Sequence, residues 1–444
     1  METTWEGQGM TRGATENGGH SLTLQERRRS LRAAAVGNML EWYDWTIYGI
    51  LSTYLAANFF SKSDPTSALL STLAIFAGGF VARPLGGLVF GRFADGQGRR
   101  KALVISMLML GGSSLGIALL PDYESIGLWA PFCLFVLRVT QGFAHGGESG
   151  VSYVYVAEIA PRERRGLWAS SVFVSVVVGI MLATGVAAAM TSFLSESEMN
   201  EWGWRIGFAI GSVLSIYTLY LRRKANETEA FARIAKQKAM SAQRPRVPAK
   251  TMFKLVVLIT GLNAAMNVWY YTWVVFAPAL AIASHKMHPN GAYVASLCAQ
   301  ACTIVFLPLF GMLSDKIGRR PVIMLFGLAV AVFGIPIQSL ISDQPVSLFV
   351  AQGLALIIWT IGVSIYPVLM AELIPAPVRG VGVGVVTSLT VAIFGGTAPY
   401  VNTWAASLGA SWLFHAYIIA LAVCTVIAGF VMKETKDDDL TRIQ

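Results

Sequence analysis

Two short runs in this chain place ionisable side chains where little else is polar. In the first, Gly37, Glu41, Asp44 and Tyr48 stand four, three and four residues apart. In the second, Arg138, Gln141, His145 and Glu148 stand three, four and three apart. Such spacing puts each set on one face of a helix. An ionisable group at the centre of a membrane helix costs at least about 2.5–3.5 kcal/mol, so each is a functional candidate by default. A carboxyl group can carry a proton, and a guanidinium can grip a carboxylate with two parallel hydrogen bonds. Counted from opposite ends of their apolar runs, Asp44 and Arg138 each lie roughly 16 Å deep at 1.5 Å per residue. The hydrocarbon core is about 30 Å thick, so both reach its middle. They are expected to be partners whose pairing and separation couple proton movement to a conformational change. The bland reading is a static ion pair that only fixes packing.

The remaining polar residues of these helices keep more than one reading. Glu41 is a proton site, a pocket wall or a structural partner. His145 titrates near neutrality or bonds a helix carbonyl. Arg83 snorkels to the interface, pairs with Glu148 at a gate, or meets a substrate carboxylate. Later in the chain the cavity candidates are neutral: Asn263, Asn267, Trp269, Tyr270, Tyr271, Trp273, Tyr366 and Asn402. The expected substrate-binding set is Arg138, Gln141, Tyr48, Asn267, Trp269, Tyr270, Trp273, Tyr366 and Asn402. An aromatic there is otherwise helix packing or part of an interfacial belt.

The composition names the solvent that these helices meet. The 444 residues are 55% hydrophobic and 13% charged, with a mean hydropathy of +0.57. Soluble globular chains average about 45–50% apolar and about 25% charged, so this chain belongs in a bilayer. Runs long enough to cross it lie at roughly 33–57, 67–91, 101–121, 127–157, 166–192, 204–222, 253–284, 292–314, 321–341, 345–372, 379–405 and 409–432. A transmembrane helix needs about 20 such residues. The expected fold is an all-α integral membrane protein: twelve transmembrane helices in two six-helix bundles, residues 29–222 and 251–432. A basic linker, 223–250, joins them, and polar tails, 1–28 and 433–444, flank them. With both termini in the cytoplasm, 29 of the 34 basic residues fall on the cytoplasmic side, as the positive-inside rule requires. The net charge of +9 then orients the chain and meets anionic lipid, with no role in nucleic-acid binding. No cleavable leader is expected. Cys133, Cys298, Cys302 and Cys424 sit in apolar stretches with no metal-ligand spacing. No nucleophile, metal, Walker or cofactor constellation appears, so no enzyme, metal or cofactor is expected.

The halves repeat each other. GRFADGQGRR at 91–100 returns as GMLSDKIGRR at 311–320, and AEIAPRERRG at 157–166 returns as AELIPAPVRG at 371–380. Each motif joins the same pair of spans in its half. Such duplication places a substrate cavity between the halves, which rock around it. Arg83, Glu148 and two charge sets, Asp95, Arg99, Glu158 and Arg165, then Asp315, Arg319, Glu372 and Arg379, are expected to gate the cytoplasmic mouth. The alternative is ordinary topology charge on short loops.

The two G-x-x-x-D-x-x-G-R-R loops resemble the signature of the major facilitator superfamily. GNMLEWYDWTIYG (37–49), ARPLGGLVFGRFADGQGRR (82–100) and RVTQGFAHGGESG (138–150) resemble its metabolite–proton symporter branch. LPDYESIGLWAP (120–131), EWGWRIGFAIGSV (201–213) and IFGGTAPYV (393–401) resemble members that carry α-ketoglutarate. The resemblance implies proton-coupled uptake of a small di- or monocarboxylate by a monomer in a bacterial inner membrane. It also implies an Asp in span one and an Arg in span four, as found. Relatives have a Y-T-x-T-T-Y segment in span seven, where this chain reads VWYYTWVVFAPAL (268–280). Uptake of a zwitterionic osmolyte is the alternative, yet osmosensing relatives have a long coiled-coil tail and this one ends KETKDDDLTRIQ. Drug efflux is expected less, because span five lacks G-x-x-x-G-P.

Overall fold

The computed structural model describes residues 38–436 apart from 62, 98, 147–152, 155, 158–159, 225–247 and 376–377. The side chains of 91–92, 94–97, 99–100, 102–103, 221–224, 249 and 380–381 are also left out. The expected N-terminal tail, most of the linker and the last eight residues therefore lie outside the described residues. Every regular element among the described residues is helical. The first span runs over 38–50 and, after a turn at Leu51, Ser52–Phe59. Pro65–Gln97, Arg99–Leu119, Trp129–His145, Arg165–Phe193 and Trp204–Lys224 form the second to sixth. The last six begin with Ala249–Tyr270, Pro289–Ile317, Arg319–Gln338, Pro345–Val363, Arg379–Thr390 and Trp412–Val431. Among the described residues, eight helices are by themselves long and apolar enough to cross a membrane. Their outward side chains, among them Leu85, Val213, Val332 and Phe430, are exposed and apolar, as a hydrocarbon solvent demands.

Spans seven, ten and eleven break and resume as Ala277–His285, Tyr366–Leu373 and Ala398–Ser407. Proline accounts for the breaks. Pro278, Pro367 and Pro399 each stand in the first turn of the resumed helix, where a missing N–H is not needed. Before Pro278 and Pro399 the backbone loosens into π-helical turns, Tyr271–Val275 and Val391–Gly395. In span seven, glutamines take up the released carbonyls. Gln352 Nε2 donates to Trp273 O at 2.7 Å, and Gln300 Nε2 donates to Val274 O at 3.2 Å. Backbone that leaves the helix inside a membrane needs such partners.

Spans two and four cross on bare backbone. A Cβ on Gly142 would overlap the Gly79 carbonyl, and one on Gly146 would overlap the carbonyl of Arg83. Small residues permit this approach. It holds Arg83 and Arg138 on adjacent helices in a fixed relation. The first six spans touch the last six along their whole depth. At one end Tyr293 donates to Ile50 O at 3.0 Å, and Asn290 Nδ2 to Ser192 Oγ at 2.7 Å. Midway, Phe76 meets Phe276 and Tyr271 at ring separations of 4.9 and 6.0 Å. At the other end lies a cluster of charges.

Candidate functional site

The middle of the molecule is a chamber only in the sense of a closely packed shell of rings around two buried guanidiniums. Arg83 and Arg138 sit 3.7 and 3.8 Å from the centre of the Trp45 ring. Phe80 lies 4.6 Å from Arg83; Tyr48 and Phe76 lie 4.6 and 4.8 Å from Arg138. Cations are held well over such ring faces. The last six spans close the chamber with more rings. Tyr270 packs on Trp42 at 5.8 Å and on Trp359 at 5.2 Å, and Tyr271 packs on Phe80 at 5.2 Å. Tyr366 meets Tyr153 at 5.6 Å and Phe173 at 6.1 Å. Several donors here are buried with no hydrogen-bond partner among the described residues: Arg83 Nε and Nη2, Arg138 Nε, the Tyr270 hydroxyl and Trp359 Nε1.

Asp44 lies beside this chamber, inside the first six spans. It is fully buried. The Ser114 hydroxyl donates to its Oδ1, and Gln141 Nε2 donates to its Oδ2 at 3.4 Å. A Cβ on Gly211 would come within 2.5 Å of Oδ1, so span six offers the carboxyl bare backbone. Arg138 does not bond Asp44 directly. Its Nη1 donates to Gln141 Oε1 at 3.0 Å and its Nη2 to Trp45 O at 3.3 Å. The expected pair is thus joined through Gln141. The amide is long enough to fill the gap, and it turns a complementary end to each charged neighbour.

At the charged end, Asp315 accepts from the N–H groups of Gly166 and Leu167 at 2.8 and 2.9 Å. A carboxylate from span eight thereby caps the start of span five, where the helix dipole favours negative charge. The two chains approach so closely that a Cβ on Gly166 would lie 2.5 Å from Gly311 O. Arg319 Nη1 donates to Asp315 at 2.9 Å, and Arg319 Nε to Glu372 at 3.4 Å. Arg165 stands 3.8 Å from Glu372. The chain beyond span twelve completes the cluster. Glu434 accepts from the N–H groups of Arg319 and Arg320 at 2.8 and 3.0 Å, and Thr435 donates to Glu372 at 2.7 Å.

A sequence profile described as the Major Facilitator Superfamily matches residues 34–399. The chain belongs to the major facilitator superfamily. It is 37% identical to the alpha-ketoglutarate permease of Escherichia coli K12, over 93% of this chain and 95% of that one. It is 33% identical to the citrate–proton symporter of Klebsiella pneumoniae, over 83% of each chain. With the proline/betaine transporter of E. coli K12 the identity is 32%, over 93% of this chain and 85% of that one. Its fold is similar to that of the proton:xylose symporter XylE bound to 6-bromo-6-deoxy-D-glucose, with a TM-score of 0.75, 17% identity and coverage of 94% and 98%.

A major facilitator protein is a membrane transporter and not an enzyme, and the expected residues fall out accordingly. Arg138, Tyr48, Tyr270 and Tyr366 reach the chamber. His145 joins its rim, with ring contacts to Trp45 at 5.5 Å and Trp42 at 6.3 Å. Glu41 is buried in the same helix face. Arg83, expected at the gate or against a substrate carboxylate, lies over the Trp45 and Phe80 rings, where spans two and four cross on glycines. Trp269 turns away from the chamber. Its Nε1 donates to Ala355 O at 2.8 Å and its ring lies against Gly334, within the last six spans. Trp273 tilts against it at 5.8 Å. Asn267 Nδ2 donates to its own helix at Asn263 O, 2.9 Å away, and Asn402 is buried. Arg165, Asp315, Arg319 and Glu372 come together in the charged cluster, and Arg379 Nε donates to Ile374 O at 3.2 Å. Glu148, Glu158 and the side chains of Asp95 and Arg99 lie outside the described residues. Ser114, Gly211 and Glu434 carried no expectation. Ser114 gives no sequence signal because serines in helices commonly bond their own carbonyls, as Ser113 does to Met109 O at 2.7 Å.

Proposed function

We propose that this chain is a proton-coupled symporter that takes up a small carboxylate by alternating access. The unpartnered buried donors around Arg83 and Arg138 carry this reading. An unsatisfied buried polar group costs about 1–3 kcal/mol, and more when charged. A carboxylate is the ligand that satisfies such a set at once. Arg83 supplies Nε and Nη2, the two groups that form a fork, and Tyr270 and Trp359 supply donors from the facing spans. Both guanidiniums touch one indole, which suits a ligand with two carboxylates or with a carboxylate and a carbonyl. The relatives named for α-ketoglutarate and citrate support this class. Asp44 is the proposed proton carrier, with Glu41 and His145 as the alternatives. Contacts between the first six and last six spans close both ends of the chamber, as an occluded intermediate requires. We place the termini and the linker in the cytoplasm of a bacterium, with residues 29–222 and 251–432 as the rocking bundles.

The ring cluster of Trp42, Tyr270 and Trp359 supports one other reading, a zwitterion with a quaternary ammonium, and the proline/betaine relative fits it. Two guanidiniums in the chamber oppose that cation. Thermal shift on the purified protein separates the two. A ligand at 100 times its Kd stabilises by about 2.7 kcal/mol. Di- and monocarboxylates should raise Tm, and Arg83→Ala and Arg138→Ala should each remove the effect. Stabilisation by betaine alone, retained in Arg83→Ala, would replace the carboxylate by the zwitterion.

A further inference from the structure

Asp44 and Arg138 belong to one closed network, yet neither touches the other. Arg138 donates to Gln141 Oε1 at 3.0 Å. Gln141 Nε2 donates to Ser114 Oγ at 2.7 Å and to Asp44 Oδ2 at 3.4 Å. Ser114 in turn donates its hydroxyl hydrogen to Asp44 Oδ1. Asp44, Ser114, Arg138 and Gln141 are all shut off from solvent. The types of the groups fix the direction of every bond. A guanidinium only donates, an ionised carboxylate only accepts, and a primary amide does each at a different end. Gln141 therefore has one orientation that satisfies both neighbours. While its oxygen holds Arg138, its NH2 must face Asp44 and Ser114.

We infer that Gln141 and Ser114 are positioning residues that link the occupancy of Arg138 to the protonation of Asp44. This rests on the roles proposed above for Arg138 and Asp44. A substrate carboxylate that engages Arg138 competes with Gln141 Oε1 for the same N–H groups. Once released, the amide is free to turn, and the donor on Asp44 Oδ2 goes with it. A proton from the open aqueous side then binds a carboxyl oxygen of Asp44. Ser114 accommodates the change because a hydroxyl holds one donor and two acceptor sites: it gives its hydrogen to the carboxylate, or accepts one from the acid. Loss of substrate lets Arg138 recapture Oε1, and the proton leaves. The charged or titratable groups facing Asp44 are Arg138 of span four and Tyr43 of its own helix. Ser114 of span three and Gly211 of span six are uncharged. A neutral link also explains why the pair is not locked: a direct buried ion pair would resist opening.

The test compares uphill accumulation with substrate counterflow in proteoliposomes, on Gln141→Leu, Ser114→Ala and Asp44→Asn. For Gln141→Leu, accumulation driven by a pH gradient should fall about tenfold further than counterflow does, within the usual range of site–site coupling. Its uptake should also lose its dependence on pH. Ser114→Ala should show the same split to a smaller degree. It removes one oxygen and is the variant that decides if Gln141→Leu does not fold. Equal losses in accumulation and counterflow, as a packing residue would give, overturn the link. So do wild-type values in both variants. Asp44→Asn guards the premise: if it still accumulates substrate, the proton site is elsewhere and the underlying reading fails. If it loses accumulation while Gln141→Leu and Ser114→Ala keep theirs, only the link fails.

Discussion

Arg83 shows what a single residue can and cannot announce. Its sequence setting, near one end of span two, suited a gate, an interfacial cation or a contact to a substrate carboxylate. Its position depends on glycines at 79, 86, 87, 142 and 146, which bring two backbones together; no spacing rule signals that a crossing will turn a side chain inward. Asp44 and Arg138 were readable because charge is rare in these runs, and their depth follows from helical rise. Gln141 was readable as a polar stripe but not as the element between them. For Arg83 the chamber makes a sharp prediction. Arg83→Lys keeps the charge but replaces a rigid fork by a point charge. Substrate affinity should fall about tenfold, equal to about 1.4 kcal/mol, while Arg83→Ala should lose measurable binding. Isothermal titration of the purified variants reads both values. Equal affinity for wild type and Arg83→Lys would show that the fork is not used.

Helices were the easiest features to read, because twelve apolar runs leave few choices. Their interruptions were harder. Pro278, Pro367 and Pro399 are visible in the sequence, but the π turns and the glutamines that serve them need the neighbouring spans in place. At this scale Gly142 is the critical contact. Gly142→Ala would press a methyl into the Gly79 carbonyl. Overpacking of this kind costs about 1–3 kcal/mol, so Tm should drop and transport should fall with it; unaltered stability would mean that spans two and four part easily. The charged cluster, the proposed gate, acts at the scale of elements too. Asp315→Asn keeps the shape but removes the charge that caps span five. The lost charge–dipole interaction, up to about 1 kcal/mol, should shift the balance towards an open charged end by up to about fivefold. Distances between spin labels at Arg164 and Lys316, with the four native cysteines replaced, report that balance. Glu434→Ala should move it the same way. Because Arg319 is shared by both contacts, the two effects should not add.

As a whole the molecule is a set of helices packed around two buried guanidiniums and their rings, and in the proposed cycle the contacts at its two ends open in turn. The repeated loops led to an expectation of this kind: duplicated motifs at matching places imply two halves and a site between them. The chemistry of that site was less accessible from the sequence. Trp269 and Trp273 were expected at the cavity and instead pack within the last six spans, where Trp269 Nε1 donates to Ala355 O and the two rings lie 5.8 Å apart. Tyr153 packs against Tyr366 across the interface. The central claim is that substrate and proton move together through this chamber, with Asp44 as the carrier of the proton. The most direct measurement is uptake of a labelled dicarboxylate into proteoliposomes with an acid-outside gradient, for wild type and Asp44→Asn side by side. The wild type should accumulate the dicarboxylate above its external concentration and lose that accumulation when a protonophore collapses the gradient. Asp44→Asn should exchange the same substrate across the membrane yet never concentrate it. Accumulation by Asp44→Asn, or wild-type uptake that ignores the pH gradient, would contradict the claim.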